Sequence, residues 1–409
     1  MKKILGLFII AAFVGLSVLA LTPTPSYALP NFAKKHEASC TLCHTVWPAL
    51  NRFGEQYLMN GFQMPDTEDG GDVGKIKPDE HVALDSGGAN PPLSVRMVVE
   101  TFLTRDQKTE GAADDSRSAL IEARNAETPF FAGGTIGKNF SYFIDNVAGA
   151  QEQMWVGLHN IGGPGVVNVR YGVINNADFD AWSNHRHDLG GSFAATVASD
   201  THTDAVALQF YGRPAGGPLT YQVSADTHGR SNTNSLNYGL MLRGDFGPAA
   251  VSYHYGANNA AKSAWGSAGK DMTSTSQILA ARAILTGIEV SAAYALNTAD
   301  DQSSGSSSKT DSNGLVLEGI YFTEMFDIQA RYSSFTYSKY ANVTSGLSDA
   351  DRSKISLKLD YHATTNSKIF FKYETDSYKG DALKTGGVYN SGTSGYNDGY
   401  SSIGVDLAF

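Results

Sequence analysis

The sequence predicts an all-β protein, a transmembrane antiparallel β-barrel of 16 strands, or of up to 18, that follows a short α-helical segment. Three observations support this fold class. From Leu93 onward, apolar and polar residues alternate with a period of two. In the C-terminal half, tight turns alternate with long polar loops, which is the pattern of barrels that cross a membrane. The chain also contains 43 glycines, which fit many turns better than long helices.

The composition of the 409-residue chain excludes several other classes of protein. Only two residues are cysteine, too few for a scaffold held together by disulfides. With 31 basic and 41 acidic side chains the formal net charge is −10, which argues against a nucleic-acid partner. Charged residues make up 18% and aromatic residues 11% of the chain, so we expect the bulk of the chain to be folded.

The first 28 residues have the pattern of a secretory signal peptide. Two lysines precede an uncharged apolar run over residues 4–21, and Ser26-Tyr27-Ala28 places small residues at the −3 and −1 positions of a cleavage site. The alternative is an uncleaved anchor, because a run of this length is also able to span a bilayer. We assign residues 1–28 to a signal peptide.

The two cysteines belong to one motif, Cys40-Thr41-Leu42-Cys43-His44. A Cys-x-x-Cys-His sequence is the attachment site of a c-type haem, in which both sulfurs bind the macrocycle and the histidine ligates the iron. A redox-active Cys-x-x-Cys would lie near a βαβ pattern, which is absent here. A zinc site would need four ligands, and the sequence has no second pair of cysteines. We therefore predict one covalent haem c, with Cys40, Cys43 and His44 as its binding residues.

The sequence leaves the sixth ligand of the haem iron open. Four nearby side chains are able to ligate iron, namely Met59, Met64, His36 and His81. A methionine ligand raises the reduction potential of a haem, and a second histidine would lower it. Each residue also has an ordinary interpretation, since the methionines can be apolar filler and the histidines can be solvated.

A short amphipathic helix is predicted directly after the haem motif. Aromatic and apolar residues recur there at steps of three and four, and Asn60-Gly61 ends the pattern. These residues are Trp47, Leu50, Phe53, Tyr57 and Leu58. We expect the stripe to pack on the porphyrin, with ordinary core packing as the alternative. Residues 29–65 then form a monohaem cytochrome c segment, and residues 66–92, which are rich in Pro, Gly and Asp, form a linker.

Residues 93–409 are predicted to form the barrel. Apolar and polar side chains occupy opposite faces most clearly in residues 221–226, 250–255, 328–333 and 354–362. A soluble sandwich would also alternate, but the aromatic residues at the segment ends favour a transmembrane barrel. The stretch 119–136 fits one long strand or two, so 16 and 18 strands are both acceptable. Either number leaves a water-filled lumen unless something plugs it.

The last strand resembles the C-terminal strand of bacterial outer-membrane proteins, which characteristically ends in phenylalanine. Ile403, Val405, Leu407 and Phe409 alternate with smaller or polar residues along this strand. Together with the signal peptide, the resemblance implies a location in the cell outer membrane, in contact with its lipid.

Loop lengths predict the orientation of the barrel. Tight turns are expected near residues 244–248, 285–287, 323–326 and 363–367, and long loops over 257–273, 298–312, 338–350 and 377–398. Outer-membrane barrels place short turns in the periplasm and long loops outside.

The N-terminal segment also resembles a known family. Its motifs are Pro30-Asn31-Phe32-Ala33, the Cys-x-x-Cys-His sequence, Pro48-x-Leu50-Asn51-x-Phe53-Gly54 and Asn60-Gly61-Phe62. Over residues 30–62 they look like those of the fused outer-membrane monohaem c-type cytochrome–porins, whose best-known members are iron-oxidising outer-membrane cytochromes. The resemblance implies a barrel of about 16 strands with the haem segment in the lumen or at its periplasmic mouth. It also implies electron transfer from extracellular Fe(II), through the haem, to a periplasmic cytochrome-type acceptor.

Two groups of polar side chains are hypothetical iron-capturing patches, because carboxylates and imidazoles suit Fe(II). They are Asp178, Asp180, His185, His187 and Asp188 in one loop, and Asp106, Glu110, Asp114 and Asp115 in another. A polar loop without a metal is the alternative for both. Asp300, Asp301 and Asp311 flank a serine-rich stretch that indicates a flexible external loop.

Three functions are consistent with this layout. The first is an electron-transfer protein that oxidises extracellular Fe(II). The second runs in the opposite direction and exports electrons to external acceptors. The third is a passive porin in which the haem segment is a plug. An outer-sphere reaction needs a reachable haem edge and a suitable potential, so no catalytic residue beyond the haem is predicted.

Overall fold

The structure of the chain is a computed structural model. It describes residues 32, 40–63, 93–109, 116–118, 122–127, 130–136, 139–147, 150–182, 189, 202–227, 236–260, 272–301, 308–339, 350–364, 367–379 and 395–408. The predicted signal peptide, the predicted linker and the terminal Phe409 lie outside these residues.

The N-terminal segment begins with a short 3-10 turn over Cys40–Leu42. Strand β1 (His44–Val46) follows and pairs antiparallel with β2 (Ala49–Leu50). Helix α1 (Arg52–Met59) comes directly after this hairpin.

The helix predicted after the haem motif is confirmed, but it begins later than the apolar stripe suggests. Trp47 and Leu50 lie in the hairpin, because Pro48 disfavours helical backbone at the residue before it. Asn51 is the N-cap of α1, so the helix begins at the next residue. Asn60 is its C-cap, as the Asn-Gly pair predicts.

The barrel consists of β3 to β20, and its paired strands run antiparallel. Their bounds are β3 (Leu93–Thr109), β4 (Ser116–Ser118), β5 (Glu122–Glu127), β6 (Phe130–Ile136), β7 (Phe140–Val147), β8 (Ala150–Ile161), β9 (Val167–Asn175), β10 (His202–Gly212), β11 (Leu219–Thr227), β12 (Leu236–Phe246), β13 (Ala249–Ala260), β14 (Met272–Leu285), β15 (Ile288–Asp301), β16 (Ser308–Phe322), β17 (Phe326–Lys339), β18 (Ala350–Thr364), β19 (Ser367–Lys379) and β20 (Gly395–Ala408).

The described strands form a closed barrel of 16. The short pieces β4, β5 and β6 all pair with β3, one after another along its length. They therefore count as one interrupted strand, which selects the single-strand alternative for the stretch 119–136. Pairing of β20 with β3, from Tyr396 opposite Thr109 to Ala408 opposite Arg96, closes the barrel without an edge.

The two faces of the strands have opposite chemistry, as the alternation predicts. On β18, Ile355 and Leu357 are 47% and 45% exposed on the outside, whereas Ser356 and Lys358 are buried on the inside. The same division holds for the other three segments in which alternation is clearest. An apolar exterior and a polar interior suit a barrel whose solvent is lipid. No helix among the described residues is long and apolar enough to cross a membrane.

The turns at one end of the barrel are short at the four predicted places. The described strands leave only residues 247–248, 286–287, 323–325 and 365–366 between them. The predicted loop over 298–312 is partly wrong, because β15 runs to Asp301 and β16 begins at Ser308. Asp300 pairs with Lys309 and Asp301 with Ser308. Hydrogen bonds between strands join backbone groups, so polar side chains do not end a strand. The pairing of β15 with β16 therefore continues into the polar residues that the sequence assigned to a loop.

Candidate functional site

The attachment loop holds both cysteines and the histidine on one short stretch of backbone. Its 3-10 turn contains a backbone hydrogen bond from the Cys43 nitrogen to the Cys40 oxygen, at 3.2 Å. The two thiols are not joined in a disulfide, and both are half-buried. Thr41 and Leu42, between them, are exposed. Neither sulfur is used in a disulfide, so both would be available for thioether bonds to a haem.

The ring of His44 has the hydrogen bond expected of an iron ligand. Its Nδ1 atom lies 3.2 Å from the backbone oxygen of Pro48. A carbonyl oxygen only accepts, so the ring proton is on Nδ1, and in the neutral imidazole Nε2 carries the lone pair. Metal-ligating histidines usually donate their second N–H to a carbonyl or carboxylate, which fixes the tautomer and the ring orientation.

The chemistry of the thiols argues against a redox-active pair. Burial raises the pKa of the Cys40 thiol, and burial together with the neighbouring Cys40 raises the pKa of Cys43 to about 11. Cysteines that exchange disulfides have a lowered pKa, down to about 3.5–7.5, because the thiolate is the nucleophile. Two protonated thiols separated by two residues, followed by a histidine whose Nδ1 lies beside a carbonyl oxygen, fit a c-type haem. When bound, this group supplies an iron that gains or loses one electron.

Helix α1 approaches the attachment loop so closely that position 54 requires glycine. A Cβ atom on Gly54 would lie 2.1 Å from the backbone oxygen of Cys43 and 3.0 Å from the Leu50 side chain. Any side chain would push the helix away from the loop. The glycine in the Phe-Gly pair of the motif therefore sets the spacing between the helix and the cysteines.

The described part of the segment, residues 40–63, lies inside the barrel at the end with the short turns. Arg52 donates a hydrogen bond to the oxygen of Gly247, in the turn between β12 and β13, at 2.6 Å. Lys368, next to the turn between β18 and β19, donates to the oxygen of Trp47 at 2.9 Å. Because these strands are far apart around the barrel, the segment reaches across the lumen.

A buried carboxylate on α1 joins the segment to the barrel wall. Glu55 accepts hydrogen bonds from Arg243 on β12 at 2.5 Å and from Arg282 on β14 at 2.9 Å. Each arginine keeps a second carboxylate on its own hairpin, Asp245 for Arg243 and Glu289 for Arg282. All five side chains are buried, so the charges are paired away from water, where a lone charge would be very costly.

Aromatic rings attach the end of the segment to a second part of the wall, on β7 and β8. Phe62 stacks on Trp155 of β8 with ring centroids 5.6 Å apart, and it contacts Phe143 of β7 at 5.7 Å. On its other side Phe62 stacks on Phe32 at 4.5 Å. The predicted stripe is therefore at least partly used in packing against the barrel, since Tyr57 belongs to the same apolar cluster.

The chain turns towards these rings at Gly61, where any other residue would be strained. Gly61 has a φ of +66°, in the left-handed region, and a Cβ there would lie 2.1 Å from Nε2 of His159 on β8. The wall histidine thus packs directly on the backbone that follows α1.

A second stretch, residues 176–182, folds into the lumen after β9. Asp178 pairs with Arg170 at 3.0 Å, and Asp180 lies 3.0 Å from Nδ1 of His254. Both carboxylates are buried against the wall, so the structure places them in contact with protein groups rather than in a solvated loop. The predicted partners His185, His187 and Asp188 lie outside the described residues.

Arg243, on wall strand β12, hydrogen-bonds to both inserted stretches. Its guanidinium donates to the backbone oxygen of Phe179 at 3.2 Å as well as to Glu55. Gln209, Thr220 and Gln222 line the wall at this level without measurable exposure. These wall residues are therefore covered by the two inserted stretches at this level.

The remaining predicted ligands are only partly described. Met59 is buried, and its sulfur lies 4.0 Å from the Thr220 hydroxyl, against the wall. Met64, His36 and His81 lie outside the described residues, so the distal ligand stays a prediction. Of the second patch, Glu110, Asp114 and Asp115 also lie outside them, and Asp106 is in β3. Among the residues the structure covers, no group of three or more His, Cys, Asp or Glu side chains is arranged to hold a metal ion.

Several residues of the site were not found from the sequence. Glu55 meets arginines 188 and 227 positions away, and nothing local indicates such partners. The sequence does contain an indication that residues 176–182 fold inward. Phe179 and Trp182 are too apolar for an external loop, and both are buried.

Comparison with solved structures agrees with this architecture. OmpT of Vibrio cholerae in its trimer form matches with a TM-score of 0.53 and 12% identity over 78% of this chain and 99% of that one. The anion-selective porin of Comamonas acidovorans matches with a TM-score of 0.51 and 13% identity, again over 78% and 99%. The channel DcaP of Acinetobacter baumannii matches with a TM-score of 0.51 and 12% identity over 80% and 99%.

The barrel has the outer-membrane porin fold. The apolar exterior and this fold together confirm the predicted location in the outer membrane. The chain matches no protein-family model and no curated protein. The porin structures match the barrel in kind, and the fused cytochrome–porin resemblance stays a prediction.

Proposed function

We propose that this porin-like protein transfers electrons across the outer membrane through one covalent haem c held by Cys40, Cys43 and His44. The observation that carries the proposal is the hydrogen bond from His44 Nδ1–H to the Pro48 oxygen, at 3.2 Å, directly after two unjoined thiols. With the ring proton on Nδ1, Nε2 is the atom that would ligate the haem iron. The haem would supply a one-electron carrier, and the chain supplies its attachment and its place in the barrel.

The position of the attachment loop supports electron exchange with the periplasm. Outer-membrane barrels place their short turns on the periplasmic side. Arg52 contacts the short turn at Gly247, and the loop tip at Thr41 and Leu42 is exposed at this end. A periplasmic cytochrome-type acceptor would therefore approach the haem from its exposed side.

Extracellular Fe(II) is the donor that we propose. The net charge of −10 is compatible with attraction of a cation, since a field of one sign raises the local concentration of its counterion. Lipid carries no electrons, and a protein wall around a haem segment keeps the redox group away from it. Electron export to external acceptors would use the same parts in the opposite direction.

A passive channel is the second candidate function, and the likeness to porins favours it. In that case residues 40–63 would act only as a plug. The two functions differ in their dependence on haem. If the haem organises a plug, loss of the haem should change the flux of solutes through the barrel. Unchanged flux would count against such a plug.

Mixing the purified protein with Fe(II) is expected to reduce the haem rapidly, because electron transfer without bond formation requires only a reachable haem edge and a suitable potential. Stopped-flow absorption in the Soret region measures this rate. The matched control is His44→Ala, which lacks the proximal ligand. A haem that only strong artificial reductants reduce would contradict Fe(II) oxidation and leave the electron-export and channel functions.

A further inference from the structure

The 3-10 turn of the attachment loop cannot fix its own shape. It spans only Cys40–Leu42, and one backbone hydrogen bond from the Cys43 nitrogen closes it. Short helical turns leave the carbonyl groups at their C-terminal end without partners inside the turn. The directions of both cysteine side chains and of the following histidine depend on the backbone at these residues. Something outside the turn must therefore hold it.

One side chain takes that role. The Nδ2 group of Asn51 donates to the oxygen of Thr41 at 3.1 Å and to the oxygen of Leu42 at 2.9 Å. The backbone nitrogen of Asn51 donates to the oxygen of Cys43 at 2.9 Å. Three successive carbonyl groups of the attachment loop thus converge on a single residue.

The same side chain begins helix α1. The Oδ1 atom of Asn51 accepts a hydrogen bond from the Gly54 nitrogen at 2.9 Å, as the N-cap of the helix. Asn51 is therefore at once the cap of the 3-10 turn and the cap of α1. It joins them at the place where Gly54 packs against the Cys43 oxygen.

The chemistry of the side chain explains why asparagine is needed here. The carboxamide carries a donor and an acceptor on one short, planar group. Aspartate would cap the helix equally well, but it would direct a second oxygen at the Thr41 and Leu42 carbonyl groups. Serine would supply a single hydroxyl in place of an amide that donates to two carbonyl groups.

We propose that Asn51 is a positioning residue that sets the geometry of haem attachment by holding the Thr41, Leu42 and Cys43 carbonyl groups against the start of α1. It acts through the loop and touches no haem atom in this assignment. The inference rests on the proposed function, because it gives Asn51 a task only if the loop carries haem.

The test compares Asn51→Asp with Asn51→Ala in the full-length protein. Asn51→Asp keeps the helix cap and removes both donor bonds, whereas Asn51→Ala removes the cap as well. We expect covalent haem per barrel to fall roughly tenfold in both variants, the low end for loss of a group that orients a metal ligand. Haem staining of denaturing gels measures attachment, and the midpoint potential of the remaining haem reports on its ligation. The barrel wall does not include this segment, so barrel assembly serves as the folding check.

Asn60→Asp is the matched control. It makes the same chemical change on the same segment, at an amide nitrogen that has no hydrogen-bond partner among the described residues, and it should retain haem. Full haem content and an unchanged potential in Asn51→Asp, with loss only in Asn51→Ala, would show that Asn51 merely caps the helix and would overturn the inference. Absence of haem from the unmodified protein would instead overturn the proposed function itself.

Discussion

Replacement of Cys40 and Cys43 together by alanine is expected to abolish covalent haem, and either single replacement is expected to weaken it. In the proposed attachment each sulfur would supply one thioether bond, and the sequence contains no other cysteine that could substitute. Haem staining of denaturing gels separates the cases, because only covalently held haem migrates with the chain. Full staining after Cys40→Ala and Cys43→Ala would refute the attachment site.

His44→Ala is expected to leave the thiols in place and to remove redox competence. The imidazole is the proposed iron ligand, because it follows the cysteine motif and its Nδ1 atom lies beside the Pro48 oxygen. His362→Gln is the control, since that histidine lies on the wall and pairs with Asp327 at 2.7 Å. Reduction by Fe(II) that survives His44→Ala would show that the iron is held by a different residue.

Glu55→Ala is expected to release the haem segment from the lumen and to open the barrel to small solutes. Removing one partner of a buried ion pair costs about 3–5 kcal/mol when it leaves a charge uncompensated. Here Arg243 and Arg282 retain Asp245 and Glu289, so we expect the loss to affect the seating of the segment more than the wall. Liposome swelling in sugar solutions measures the resulting flux.

The control for this prediction removes a buried carboxylate that is paired between two strands of the barrel wall. Glu318 pairs with Arg331 across β16 and β17 at 2.5 Å. Glu318→Ala should leave flux near the level of the unmodified protein. Equal flux in the two variants, or high flux before any substitution, would show that residues 40–63 do not close the lumen.

Features that depend on local chemistry were predicted correctly from the sequence. The alternation of Ile355 and Ser356 marks a strand because successive side chains point to opposite faces. The Asn60-Gly61 pair ends α1 because glycine accepts the left-handed conformation that follows the cap. The haem that the cysteine motif predicts is not among these confirmed features and stays a proposal.

Features that depend on register across the barrel were not predictable in this way. The sequence left 16 and 18 strands open, and pairing of β4, β5 and β6 with the single strand β3 decides the number. The partners of Glu55 depend on which inward positions of β12 and β14 meet at one height in the lumen. Asn51 stood in a recognised motif, but its task appears only when the carbonyl groups of the loop converge on it.

In the proposed function, electrons cross this barrel through a haem while solutes do not. Vesicles that contain the protein and entrapped oxidised cytochrome c test it when Fe(II) is added outside. We predict that the entrapped cytochrome is reduced at a rate that falls to background with the Cys40→Ala and Cys43→Ala double variant, while an entrapped sugar stays inside. Reduction that is equally fast in the double variant, or that only follows leakage of the vesicle contents, would contradict the claim.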